Sequence, residues 1–136
     1  MCADARTRGP QIPFYDVDVE HGLKHLEHLE PESNLILSPV GACDLAMCYT
    51  GRAMGALVPP GTVVLLKAVD RDAIIPGGEY AIVSRKIVTL RIVRAADEED
   101  KVRLVAGDRE NYDDILLNVS DIVAVYKVKG KLIINS

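Results

Sequence analysis

The sequence contains no tryptophan, and aromatic residues make up only 4% of it. With so few rings the core is expected to be aliphatic, built from Val, Ile and Leu. Cysteine is scarce: Cys2, Cys43 and Cys48 form no CxxC pair of the kind that holds zinc. An odd count without a secretion signal points to reduced thiols and a cytoplasmic setting. The N-terminus, MCADARTRGP, has no apolar stretch, so no signal peptide is expected. No uninterrupted apolar run approaches the roughly 20 residues that span a bilayer, and no membrane partner is expected. Basic blocks are missing too. No run of Lys or Arg exceeds two residues, and the net charge is −4. Binding to phosphates by counterion release needs a basic stripe, so direct contact with DNA is not expected of this chain.

What is present suits one domain. The 136 residues are 49% hydrophobic and 26% charged, enough apolar material for one core. Residues 1–11 are polar and read as a flexible leader or linker, leaving 12–136 as the folded unit. The β-branched residues concentrate after residue 57, which points to strands there.

Alternation in Gln11–Val19, after Pro13, predicts an edge strand or extended segment. In Glu20–Leu29, Leu23, Leu26 and Leu29 recur at helical spacing, so a short surface helix is expected, weakened by Gly22 and ended by Pro31. Asn34–Pro39 reads as extended. Strands are predicted at Cys43–Tyr49 and Thr62–Ala68. Past the Pro76-Gly77-Gly78 turn, Glu79–Ser84 and Ile87–Val93 form a hairpin across Arg85-Lys86. Val102–Ala106 and the brief Ile115–Leu117 follow the charged turn Ala95–Lys101 and are separated by the polar loop Gly107–Asp114. Ile122–Val128 and Lys131–Ile134 read as a closing hairpin across Lys129-Gly130. The expected fold is mainly β: twisted antiparallel sheets forming a partial barrel, with one short helix.

Several groups invite a chemical reading. His21, His25 and His28 share a helical face, and with Glu20 or Glu27 they suggest zinc. Their spacing matches no metal motif closely, and a solvated polar face explains them; no metal or other cofactor is assigned. Asp16 and Asp18 alternate with valines and read as the solvent face of an edge strand. Cys43 and Cys48, five apart on one strand, would face opposite sides and sit as inert buried thiols. Asp108, Asn111, Tyr112, Asp113 and Asp114 lack the acidic alternation and closing glutamate of a calcium loop, and read as a turn.

The most site-like stretch is Tyr49–Lys67. A turn at Thr50-Gly51-Arg52 leads to Ala53-Met54, a Pro59–Gly61 corner and a dense apolar strand. Such a frame can present one side chain, yet the one presented is alanine. Gly51-Arg52-Ala53-Met54 and Gly61-Thr62-Val63-Val64-Leu65 stand where LexA-type self-cleaving repressor domains carry G-x-S-M and G-D followed by an apolar strand. Further matches to that superfamily, which includes UmuD-like proteins and signal peptidases, follow in order. They are Ile12-Pro13-Phe14-Tyr15-Asp16-Val17, Gly78-Glu79-Tyr80-Ala81-Ile82-Val83, Thr89-Leu90-Arg91-Ile92, Leu104–Tyr112 and Ile122–Gly130. The chain resembles that family over roughly residues 12–135, by the order of motifs rather than by any one.

The resemblance implies a serine–lysine dyad, in which a neutral lysine deprotonates the attacking hydroxyl. Here Ala53 stands at the serine position and Arg91 at the lysine position. Arginine stays protonated and cannot serve as a general base. His21-Gly22 stands where the family's self-cleaved Ala-Gly or Cys-Gly lies, and Thr62 replaces an aspartate. Thr50 and Ser38 are hydroxyls with no base in view. The resemblance therefore implies an inactive domain that dimerises or regulates within a transcriptional regulator, reaching DNA only through a separate domain. The alternatives are a self-cleaving peptidase whose serine was exchanged for Ala53, and a module that binds a peptide or protein partner in the old groove. Family-like homodimerisation would use Val123–Val128 and Leu132–Ile134.

Overall fold

Runs rich in Val, Ile and Leu form strands across half of this chain, and the central ones are buried almost continuously, as strands covered on both faces are. A computed structural model of the protein describes residues 11–36 and 43–133. Its strands are β1 (Gln11–Asp18), β2 (Ser33–Ile36), β3 (Leu45–Tyr49), β4 (Thr62–Val69), β5 (Glu79–Ser84), β6 (Val88–Ala95), β7 (Lys101–Val105), β8 (Ile115–Asn118) and β9 (Ile122–Leu132). They form one nine-stranded sheet in the order β2-β1-β3-β4-β9-β5-β6-β7-β8. The fold is mainly β, as expected, but the sheet does not close into a barrel. It is also mixed: β1 runs parallel to β3, with Phe14 beside Ala46, while the other pairs are antiparallel.

The helical segment is shorter and less regular than the leucine spacing predicts. One α-helical turn, α1 (Val19–Gly22), is followed by a 3-10 segment, Leu23–His28, with His25 out of helical geometry at φ −121° and ψ 24°. Asp18 caps α1: its Oδ2 accepts the Glu20 N–H at 3.0 Å. Strand β1 is not an edge. It lies between β2 and β3, and Pro13, which has no N–H to donate, pairs with Asn34 of β2.

The closing hairpin expected across Lys129-Gly130 is one long strand instead. β9 runs through, flanked by β4 and β5, and its register against β4 slips so that Gly130 opposes Leu65 while Val128 opposes Leu66. Lys129 is the extra residue of a bulge. A Cβ at Gly130 would lie 3.0 Å from Leu65 Cδ1, so a side chain there requires that leucine to shift. The hairpin across Arg85-Lys86 forms as predicted, with Ser84 Oγ accepting the Ile87 N–H at 3.0 Å.

Tyr49, Met47, Leu66, Leu90, Val19 and Leu23 belong to one apolar cluster, and Tyr80, Ile82, Val93 and Leu104 to a second. Each fully buried aliphatic side chain contributes roughly 1.5–3 kcal/mol relative to exposure. Cys43 and Cys48 both pack against a third, smaller cluster around Ile12, Ala46, Val63 and Leu65. The alternation argument for opposite faces fails because Cys43 precedes β3. Both thiols are half-buried, and burial raises the pKa of each, so neither is activated. Among the described residues no helix is long and apolar enough to cross a membrane. Residue 11, placed in the proposed leader, belongs to β1 instead; residues 1–10, Ser38, Ile134 and the end of Asn34–Pro39 lie outside the described residues.

Candidate functional site

The Tyr49–Lys67 frame is a closed loop between β3 and β4. The Gly61 N–H donates to the Tyr49 carbonyl at 2.7 Å, and Gly61 turns the chain at φ +93°, where glycine is favoured. Thr62 finishes the corner: its hydroxyl donates to the Pro59 carbonyl at 2.7 Å. Thr62 therefore has a structural duty at this corner. Inside the loop Ala53 and Met54 turn inward and are buried. Gly51 sits under the Tyr49 hydroxyl, which lies 2.7 Å from where a Cβ would be.

A second loop, residues 107–114, closes over the first. The Asp108 N–H donates to the Ala53 carbonyl at 2.8 Å. Gly107 passes so close to the Met54 carbonyl that any Cβ would collide with it. This glycine opens a polar loop directly after a strand, a signal of close backbone approach that the sequence reading did not use.

Arg91 comes from β6. Strand β7 pairs only with Ile92–Ala95, so residues 88–91 have β5 on one side and α1 packed nearby. Arg91 is only 8% exposed. Its Nη1 donates to the carbonyl of Leu90 at 3.0 Å, and the face of Tyr112 lies 6.0 Å from its central carbon. Tyr112 rides on the loop that holds Ala53. Arg91 thus faces a residue of the loop that binds the Ala53 carbonyl, and its charge reaches the Tyr49 hydroxyl.

Burial raises the Tyr49 hydroxyl's pKa above its ordinary range, against the pull of the Arg91 charge and of the Met54 N–H facing it. Burial, helped by the Asp18 charge, likewise pushes the Glu20 carboxyl up, against the opposing pulls of Arg91 and the Thr89 hydroxyl. The contacts with Met54 and Thr89 stop short of good hydrogen-bond geometry. Tyr49 Oη, Thr89 Oγ1 and Arg91 Nε are buried without a partner among the described residues. An unmet buried polar atom costs about 1–3 kcal/mol, so three in one neighbourhood mark an unusual place in the core.

His21 and Gly22 both lie in α1. His21 is exposed, while Gly22 is buried and a side chain there would strike Val17 and Met47. The His21 ring lies 5.3 Å from that of His25, and His28 sits 3.6 Å from the Glu27 carboxylate. Among the described residues no three metal-ligating side chains gather. Thr50 does have a carboxylate partner, which the sequence did not reveal. Asp18 Oδ1 accepts both its hydroxyl at 2.6 Å and its N–H at 2.8 Å. With the Glu20 N–H also bound, Asp18 holds three donors and ties α1 to the Tyr49 loop. That is the work of a cap rather than of a base.

Chemically, the arrangement has no nucleophile at position 53 and a cation at position 91. Its unmet polar atoms could accept a hydrogen-bonding or anionic group. No protein-family model matches the chain, and a comparison with characterised proteins also found no match.

Proposed function

We propose that the chain is a LexA-like, peptidase-type domain without its catalytic pair, serving as a dimerising or regulatory module of a transcriptional regulator. The observation that carries this reading is that both residues standing at the dyad positions are buried and lack its chemistry. Ala53 is buried with its carbonyl pinned by Asp108, and Arg91 is buried where the resemblance expects a lysine base. A single missing hydroxyl could be restored; a guanidinium cannot take up the serine proton. The helical setting of His21-Gly22 supports the same reading, because a scissile bond is ordinarily offered in extended form. Homodimerisation belongs to the proposal and draws on the exposed apolar side chains Val123, Leu132 and Ile133 of β9 and its end.

The test is Ala53→Ser, incubated at alkaline pH and followed by mass spectrometry. The expected result is an intact chain. A break between His21 and Gly22 would return the protein to the self-cleaving peptidases. The second reading, a peptide-binding module, is favoured by the unmet Arg91 Nε, Tyr49 Oη and Thr89 Oγ1. Arg91→Ala should then abolish peptide capture.

A further inference from the structure

The hairpin of β6 and β7 places Arg94 directly opposite Arg103. Like charges facing each other across an antiparallel pair are destabilising. Relief for one of them comes from Asp114, whose Oδ2 lies 3.4 Å from Arg103 Nη1. The same oxygen also serves Arg109 Nη2, at 3.9 Å. One carboxylate thus answers two guanidiniums. Arg94 is exposed and has no hydrogen bond or ion pair among the described residues.

These three arginines and Asp114 line a concavity of about 420 Å³ whose apolar side includes Leu57 and Ile92. The neighbouring Lys131 and Glu79 pair with each other at 3.0 Å and cancel. Three guanidiniums against one carboxylate line this hollow, and Arg94 also borders the adjoining one beside Glu98 and Glu99, on a chain whose net charge is −4. Local excess of the sign the whole molecule lacks is the electrostatic pattern of a recognition site.

We propose that this hollow binds an acidic peptide segment, with carboxylates on the arginines and an aliphatic side chain on Leu57 and Ile92. The apolar wall decides the ligand class. Inorganic phosphate would satisfy the guanidiniums and leave Leu57 bare, at 46% exposure. Nucleic acid calls for a longer basic track than three arginines in an acidic chain. Guanidinium groups also match carboxylates in shape, offering paired donors. This inference stands apart from the inactive-peptidase reading, since none of its residues occupies a dyad position.

The test is fluorescence anisotropy with a short fluorescein-labelled peptide carrying glutamates on both sides of a leucine. Saturable binding is expected, weakening as salt rises. Arg94→Gln should weaken it about tenfold, the loss of one charge-assisted contact, with a melting temperature at or slightly above the wild type's as the repulsion by Arg103 is relieved. A peptide with glycine for the leucine should bind more weakly, and inorganic phosphate should compete only in large excess. No saturable binding, full affinity in Arg94→Gln, or equal affinity for the glycine peptide would overturn the proposal. So would displacement of the peptide by equimolar phosphate, or tighter binding of a single-stranded oligothymidylate. Ala53→Ser is silent in this assay, so the two readings fail independently.

Discussion

Arg91 and Arg94 lie three residues apart on one strand and have opposite fates. Arg91 is buried, bound to the Leu90 carbonyl and covered by Tyr112. Arg94 is exposed and faces a second arginine across the hairpin. The difference begins with pairing. β7 reaches only as far as Ile92, so the segment holding Arg91 is left for the two loops and α1 to enclose, while Arg94 lies in the regular, solvent-facing ladder. Identical side chains therefore meet different dielectrics. Inside, an arginine must be compensated by the chain itself, and its removal disturbs the fold. Outside, an arginine costs the fold little and is free to meet a ligand.

Substitutions can break this contrast. The largest effect is expected at Arg91. Arg91→Ala leaves a cavity among buried polar groups and strips Glu20 and Tyr49 of their opposing charge; it should cost about 3 kcal/mol in urea unfolding. Gly107→Ala forces a methyl group into the Met54 carbonyl and should cost about 2 kcal/mol, measured the same way. Asp18→Ala removes the acceptor for Glu20, Thr50 N–H and the Thr50 hydroxyl. A loss of about 1–2 kcal/mol is expected, with faster hydrogen exchange at the Glu20 and Thr50 amides.

Glu20→Gln sharpens the comparison through pH. The Glu20 carboxyl is raised above its model-compound value of 4.5 by burial and the Asp18 charge. The folded chain therefore holds this proton where the unfolded chain has released it. Its contribution is fully present below pH 4.5 and is lost as pH climbs through the raised value. Thermal melts across that window should show the wild type losing stability relative to Glu20→Gln as pH rises. Equal slopes would mean that α1 does not bury the carboxyl against β6. The smallest effect is at the exposed position: Arg94→Ala should change stability by no more than about 0.5 kcal/mol.

Much of the fold was legible from local pattern. β-branched alternation marked the strands, and Pro-Gly-Gly and Arg-Lys marked turns. The misreadings share a cause. Lys129-Gly130 looks like a hairpin turn, and only the partner strand reveals a bulge. Pro13 suggests an edge, and only β2 shows that an edge position can be covered. The site frame was partly legible: Gly51, Ala53, Met54, Gly61 and Arg91 were named from their motifs. Glu20, Tyr49, Thr89 and Tyr112 appeared in separate stretches and not as one neighbourhood, because their proximity depends on which strands neighbour one another. The facing of Arg94 and Arg103 depends on hairpin register, which the charged turn between them does not specify. Gly107 was the one missed residue with a usable local signal.

The most direct test of the contrast is urea unfolding of Arg91→Ala beside Arg94→Ala under identical conditions. The expected result is a clear fall in midpoint for Arg91→Ala and a midpoint at the wild-type value for Arg94→Ala. Equal midpoints for the two variants would contradict it, because burial would then not distinguish an arginine that holds the fold from one that faces outward.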